Sequence, residues 1–366
     1  MRAVLLKGHG GFEQLELRND VAVPPLEAGD VLIRVGAAGV NNTDINTRTG
    51  WYARAVTEGT TAAAGAGGIA GTDVEDSGWT GALPEFPRIQ GADACGRIVA
   101  VGAGVDAGRI GERVLVEPVF RVPEANPGQT ADLPRGADRY RVLYFGSERD
   151  GAFAEFAAVP AAHAHSISST CTDAELASFP CSYAAAENML TRLDLRAGET
   201  VLVTGASGGV GSAAVQLAKR RGATVIALAS GSKAAAVADL GARVLERGEP
   251  LMAALGRESV DAVVDVVGGE QFPELLEVMR RGGRYAVAGA IGGPLVTLDL
   301  RTLYLKDLRL LGCTVLDQGV FANLVGYIER QEIKPLVACT YPLEDIVAAQ
   351  QAFLLKEHVG KIVLIP

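Results

Sequence analysis

The segment Thr200-Val201-Leu202-Val203-Thr204-Gly205-Ala206-Ser207-Gly208-Gly209-Val210-Gly211 combines residue types that can hold a phosphate. A short β-branched apolar run ends in small residues, and Ser212-Ala213-Ala214-Val215-Gln216-Leu217-Ala218-Lys219 then has the pattern of a helix. Strand, tight turn and helix start form the arrangement that binds a dinucleotide pyrophosphate. Missing side chains let the backbone approach the phosphates, and unpaired N–H groups with the helix dipole supply the positive end. The strict pattern is G-x-G-x-x-G; here Ala206 takes the first place, followed by Gly208 and Gly211, so the cradle comprises Ala206, Ser207, Gly208, Gly209, Val210 and Gly211.

Cofactor choice is also legible. NAD-specific sites put an acid about 20 residues beyond the glycines, on the ribose hydroxyl. The second strand here ends in Ala229-Ser230-Gly231-Ser232-Lys233, which contains no acid, and Arg247 follows the next strand. Ser230 and Lys233, with no acid beside them, suit a 2′-phosphate, so the expected cofactor is NADP(H). A helix-surface role for Lys233 is the bland alternative.

The elements around the loop alternate strand and helix. Thr224–Leu228 reads as a buried strand, Ser232–Leu240 as a helix, Val260–Val267 as a strand, Pro273–Arg280 as a helix and Arg284–Gly289 as a strand. Continuous apolar strands between helices predict an α/β unit with a parallel sheet covered on both faces. The first ~165 residues instead show short strands such as Val31–Val35, Arg97–Val101 and Arg113–Val116 between glycine turns, a β-rich pattern. Ala62–Gly81, rich in Gly, Ala and Thr, predicts a surface loop with a disordered tip. Arg121–Gly151 predicts a folded lobe.

With 366 residues, two domains are the natural expectation. The net charge of −9, without a dense basic patch, argues against nucleic acid as the main partner. No apolar run reaches the ~18 residues of a membrane span. Met1-Arg2-Ala3-Val4-Leu5-Leu6 reads as a first strand rather than a signal peptide. Five scattered cysteines (Cys95, Cys171, Cys181, Cys313 and Cys339) without C-x-x-C fit reduced thiols and a cytoplasmic location.

In order, the chain carries Gly39-Val40-Asn41-Asn42-Thr43-Asp44, Pro87-Arg88-Ile89-Gln90-Gly91-Ala92-Asp93, Gly111-Glu112-Arg113-Val114 and Asp150-Gly151-Ala152-Phe153-Ala154-Glu155-Phe156. The glycine loop and the closing His358-Val359-Gly360-Lys361-Ile362-Val363-Leu364 complete the series. On these motifs it resembles the medium-chain dehydrogenase/reductase superfamily over nearly its whole length. The resemblance implies a GroES-like β-rich catalytic domain (1–182), a Rossmann NADP-binding domain with a doubly wound parallel sheet (183–316), and a segment (317–366) completing the catalytic domain. It also implies a homodimer, to which Leu308–Gly312 would contribute a sheet edge, and a small-molecule substrate. It places Asn41, Thr43 and Tyr52 in the cleft as hydrogen-bond donors, puts Arg247 near a further phosphate contact, and adds Val267, Gly268, Gly289, Ala290 and Lys361 to the cofactor site. Trp51 is either a pocket wall or core.

Departures from the family carry the mechanism. Its zinc alcohol dehydrogenases have Cys where this chain has Asn41, and Gly-His-Glu where it has Gly91-Ala92-Asp93. Only Cys181 remains a competent donor, Arg121–Gly151 holds no cysteine, and zinc needs about three protein ligands. No metal is expected. The resemblance thus shifts to the zinc-free quinone oxidoreductase and enoyl reductase branch, which implies hydride transfer to quinones or α,β-unsaturated carbonyls. A reductase or dehydrogenase of simple carbonyls and alcohols, and a non-enzymatic NADPH-binding protein, remain alternatives. Asp44 and Asp93 read as structural hydrogen-bonders, and His9, His163, His165 and His358 as surface or loop residues.

Overall fold

A computed structural model describes residues 1–72, 76–79, 81, 84–123 and 140–366. Thr200–Val203 lies inside a six-stranded parallel sheet whose order, by first residue, is Arg243, Thr224, Thr200, Val260, Met279, Arg309. Val201, Leu202 and Val203 are fully buried, as expected for a strand covered on both faces. The strand order reverses between Thr200–Val203 and Val260–Asp265, and the crevice at their carboxyl ends is where such folds take ligands. Two expected boundaries move. The helix before the fifth strand is Phe272–Val278, and the strand already begins at Met279, because Met279 pairs with Val260 and Arg280 reaches Asp261 at 2.7 Å.

The β-rich unit has a seven-stranded sheet built around the long strand Asp30–Gly39. That strand pairs with Cys95–Val101, with Phe156–Pro160 and, through Gly39 and Ala38, with the closing strand Lys361–Ile365. The end of the chain therefore returns to the residues immediately before Asn41. Helix Pro180–Arg192 joins both units. Its Tyr183, Ala184 and Met189 share one buried cluster with Ala37 and Leu176 on one side and Val201 and Ala213 on the other. A division after residue 182 cuts this continuous helix.

At 62–81 most of the described residues are exposed or half-buried, as composition predicts, but the segment is not structureless. Ala62–Gly67 forms a short helix, and Gly65, Thr72 and Ser77 are buried. A Cβ on Gly65 would lie 2.3 Å from the Leu354 side chain, so small residues serve close packing here. The fully buried Arg48 guanidinium donates to the Gly65 carbonyl (2.5 Å), the Gly10 carbonyl (2.9 Å) and Gln350 (2.9 Å), fastening this segment to the C-terminal helix Ile346–Leu355. The tip of this segment, where disorder was expected, includes residues 73–75 and 80, which lie outside the described residues. In the expected second lobe, Val119–Pro123 and Tyr140–Tyr144 pair as an antiparallel hairpin, and 124–139 lie outside the described residues.

Candidate active site

The glycine loop closes as its residue types require. Gly208 caps helix Gly209–Arg220 in an extended conformation. A Cβ on Gly211 would stand 2.2 Å from the Gly205 carbonyl oxygen, so only glycine lets the helix approach the strand this closely. On Gly209 it would lie 2.5 Å from Ser182 Oγ and 3.1 Å from the Lys361 stem. Ala206 is fully buried and donates to the Leu228 carbonyl, while the Ser207 carbonyl accepts from Gly360 N–H at 3.2 Å. Val210 is half-buried. The first N–H groups of a helix have no intrahelical acceptor, so the loop offers donors to an anion.

Beside it, Asp265 is fully buried and accepts from Thr204 Oγ1 (2.6 Å), Val267 N–H (2.8 Å), Gly268 N–H (3.1 Å) and the Tyr285 hydroxyl (2.5 Å). These bonds hold the turn Val267-Gly268, where Gly268 has φ 65°. A Cβ on Gly289 would meet the Val266 carbonyl at 2.9 Å, and Ala290 packs against Gly268. Glycine thus keeps the two loops in contact at the mouth of the crevice. From the other side, Thr60 N–H donates to the Ile291 carbonyl at 3.0 Å, and a cavity of about 670 Å³ opens between Thr57–Thr61 and Ile291–Thr297.

The corner expected to take the cofactor's ribose holds more groups than the local sequence suggests. Ser230 caps helix Gly231–Ala238 without a side-chain capping bond. Lys233 Nζ donates to the Lys356 carbonyl at 2.6 Å, and Arg247 N–H to the Ala229 carbonyl at 3.1 Å. Lys356 Nζ reaches Asn42 at 3.1 Å. Lys356 is exposed as a residue, yet the protein packed around its ammonium, and then the nearby Lys233 charge, lower it from its ordinary value. Burial, then Lys356 and Lys233, lowers His358 to about 4. Lys356 and His358 join Lys233 at this corner although neither was singled out from the sequence; His358, which opens the closing motif, was the available signal. Near Gly231 there is also an acid. Glu246 Oε1 accepts the Gly231 N–H at 3.0 Å, so the acid absent from the second strand arrives on the third.

Asn41, Thr43 and Tyr52 come together at the start of helix Asn42–Thr49, with a correction for Asn41. Its amide is committed. Nδ2 donates to Asp93 (2.8 Å) and the Gly39 carbonyl (3.4 Å), while Oδ1 accepts from Lys361 Nζ (2.5 Å). A donor already bonded to a buried carboxylate is not available to a substrate. Tyr52 O–H donates to Thr43 Oγ1 at 3.2 Å, which leaves the Thr43 proton to be donated onward. Burial pushes the Tyr52 phenol up to about 12. Trp51 donates to the Glu58 carbonyl and stands edge-on to Tyr52, whose ring is parallel to Trp79 at 6.3 Å; Trp79 stacks on Tyr144 at 3.9 Å.

Asp44 and Asp93 act structurally. Asp44 accepts from Asn41 N–H (2.7 Å) and Gly91 N–H (3.3 Å), and burial pushes its carboxyl up to about 7 against those bonds. Asp93, fully buried, accepts from Lys361 (2.7 Å), Asn41 and Cys181 N–H (2.5 Å). All four histidines are half-buried; His9 and His358 lie in loops, as expected, whereas His163 ends a short 3-10 helix and His165 lies in the strand Ala164–Ser166. His163 and His165 share Glu117 at 3.0 and 3.2 Å, and His9 bonds Thr47 and Ser77.

Comparison with known proteins bears on this arrangement. Residues 60–169 match the family profile described as an alcohol dehydrogenase GroES-like domain, and 209–330 the one described as a zinc-binding dehydrogenase. The acryloyl-coenzyme A reductase of Metallosphaera sedula is 29% identical, covering 100% of this chain and 99% of that one. The quinone oxidoreductase of Rattus norvegicus is 25% identical, over 100% and 98%. A solved structure from Sinorhizobium meliloti 1021, described provisionally as an alcohol dehydrogenase, is 46% identical over 100% and 96%, with a TM-score of 0.85. The chain belongs to the medium-chain dehydrogenase/reductase superfamily. Members of that superfamily are oxidoreductases that bind nicotinamide cofactors.

A zinc-binding description does not fit this member's donors. The matching places hold the Asn41 amide, the buried Ala92 methyl and Cys181, whose thiol burial pushes up to about 12. Asp93 is already neutralised by the Lys361 ammonium. Cys95 is buried and bonded to Asp173 at 3.5 Å. Among the described residues no group of three or more His, Cys, Asp or Glu side chains is arranged to hold a metal ion. The dinucleotide does fit, because the cradle is one that added Cβ atoms would disrupt.

Proposed function

We propose that this chain is a zinc-independent, NADPH-dependent oxidoreductase that reduces quinones or α,β-unsaturated carbonyls. The observation that carries the reading is an intact phosphate cradle beside former metal positions held by Asn41, Ala92 and the Lys361–Asp93 pair. Ala206–Gly211 would hold the pyrophosphate, Val267, Gly268, Gly289 and Ala290 the nicotinamide end, and Ser230, Lys233, Arg247 and Lys356 the 2′-phosphate. Lys361 passes beneath Gly209 and fixes Asn41, so we assign both as positioning residues. Bound NADPH supplies the hydride. Without a Lewis acid, a simple carbonyl is poorly activated, whereas a conjugated acceptor needs only a hydrogen bond at the oxygen where charge develops. Thr43 supplies that donor, oriented by Tyr52, which stays protonated at neutral pH and cannot serve as a base. Solvent delivers the second proton.

The test is NADPH oxidation with four acceptors: a benzoquinone, a simple enone, an enoyl-coenzyme A thioester and an aliphatic aldehyde. Turnover of the first three and not the aldehyde is expected. Turnover of the aldehyde alone would favour a carbonyl reductase, the reading to which the Sinorhizobium relative's description points. Binding without turnover would make the protein a non-enzymatic NADPH binder.

The cations at the ribose end support a preference for NADPH. Charge-assisted bonds contribute ~1.5–3 kcal/mol each, less where solvent screens them. Replacing Lys233 and Arg247 together by Ala should raise the Michaelis constant for NADPH about 30-fold and leave NADH nearly unaffected. Equal wild-type efficiency with both would count against the preference.

Strand Arg309–Gly312 is an edge of the six-stranded sheet, flanked by exposed Leu300, Tyr304 and Leu305. An uncovered apolar edge is a template for a second chain, which supports a homodimer. Light scattering should give twice the chain mass, and a monomer across a wide concentration range would reject this. No helix among the described residues is long and apolar enough to cross a membrane. Five free thiols suit a reducing compartment such as the cytoplasm.

A further inference from the structure

The second Rossmann strand ends at Ala229, and helix Gly231–Ala238 opens two residues later. Ala229 pairs across the sheet with Glu246, so the third strand delivers a carboxylate to the same helix start. Glu246 Oε1 accepts the Gly231 N–H at 3.0 Å, and Glu246 is exposed on the ligand side rather than packed in the core. Three cations share this corner. Lys233 lies two residues along the helix and donates to the Lys356 carbonyl, Arg247 follows Glu246, and the Lys356 ammonium, within electrostatic reach of Lys233, bonds Asn42. The corner thus holds groups suited to two different ligands. A ribose 2′-hydroxyl is a donor and favours a carboxylate. A 2′-phosphate is an acceptor, favours the cations, and competes with Glu246 for the Gly231 N–H as a like charge.

We infer that Glu246 is the residue that sets the ratio between the two nicotinamide dinucleotides. It accepts from the ribose hydroxyl of NADH and opposes the 2′-phosphate of NADPH. The preference conferred by Lys233, Arg247 and Lys356 is therefore held below what those cations alone would give. This inference rests on the dinucleotide reading above. It differs from the usual arrangement in that the acid comes from the neighbouring strand rather than from the strand that precedes the helix.

The experiment is a fluorescence titration of the purified protein with NADPH and, separately, with NADH, for wild type, Glu246→Gln and Glu246→Lys. Melting temperatures are measured alongside. In E246Q the dissociation constant for NADPH should fall about tenfold and that for NADH should rise about threefold, and E246K should move the ratio further in the same direction. A merely structural helix cap would change the melting temperature and affect both dinucleotides alike. A ratio within twofold of wild type in both variants overturns the role of Glu246 while the oxidoreductase reading stands. A wild-type protein that binds neither dinucleotide overturns both.

Discussion

Gly208→Val is expected to lower NADPH affinity by at least about 100-fold, or about 2.7 kcal/mol, while the protein stays folded. The reason lies in what a Cβ meets at each glycine of the loop. At Gly208 the nearest atom is the Gly205 carbonyl oxygen at 3.4 Å, and the backbone is extended at φ −78°, ψ 173°, which valine adopts readily. The valine methyls would project from the helix start into the space where phosphates must approach the backbone. At Gly211 the same atom would lie 2.2 Å from the Gly205 oxygen, so that substitution must separate helix from strand. Gly211→Val should therefore lose both binding and roughly 1–3 kcal/mol or more of stability, as overpacking does. The contrast separates a binding defect from a folding defect. A thermal melt and a fluorescence titration of both variants measure it, and micromolar NADPH binding retained by folded G208V would remove the loop from the cofactor site.

That loop was legible because its signature is local. Strand, small residues and helix start occupy twelve consecutive positions, and each constrains the next. The flanking parallel sheet was legible for a similar reason, since continuous apolar strands need cover on both faces. What escaped notice joins residues far apart in the chain. Lys356 meets Lys233 across 123 positions and Lys361 meets Asn41 across 320, pairings that only the folded topology makes. Glu246 was hidden differently, because the rule for the ribose acid follows one strand, and the register Ala229–Glu246 supplies it from another. Asn41 was found, but the partners its amide has within the protein were not. An amide at that place is a natural substrate donor, and only the adjacency of Asp93 and Lys361 shows both of its ends already engaged. In Ala62–Gly81 composition foretold a mostly exposed segment but not its short helix or its few anchoring contacts. Low hydrophobicity kept most of it at the surface, and at Gly65 the lack of side-chain bulk lets Arg48 and Leu354 pack directly on its backbone.

Purified protein is expected to carry well under about 0.1 zinc per chain, and its turnover of a conjugated acceptor should survive chelation. A catalytic zinc site takes about three protein ligands, deprotonated or neutral as the ligand type requires, with one open position. Here one position is an amide whose oxygen accepts from Lys361, and the second is a methyl group. The third is a thiol that burial, and then the Asp93 charge, holds in the neutral form. Electrostatics oppose the metal as well. The Lys361 ammonium already sits 2.7 Å from Asp93 and is itself almost wholly buried, so a divalent ion would have to expel a cation that has no solvent to enter. Breaking a buried pair by removing one partner costs about 3–5 kcal/mol, and displacing Lys361 faces a penalty of that order. Lys361→Met should accordingly destabilise the protein by a similar amount, and should not by itself create metal affinity, because Asn41 and Ala92 still offer no ligand. Elemental analysis, together with assays before and after chelation, decides the matter. One equivalent of tightly bound zinc whose removal stops turnover would restore a metal-assisted alcohol dehydrogenase, and would require Asn41, Asp93 and Lys361 to rearrange from the geometry described here.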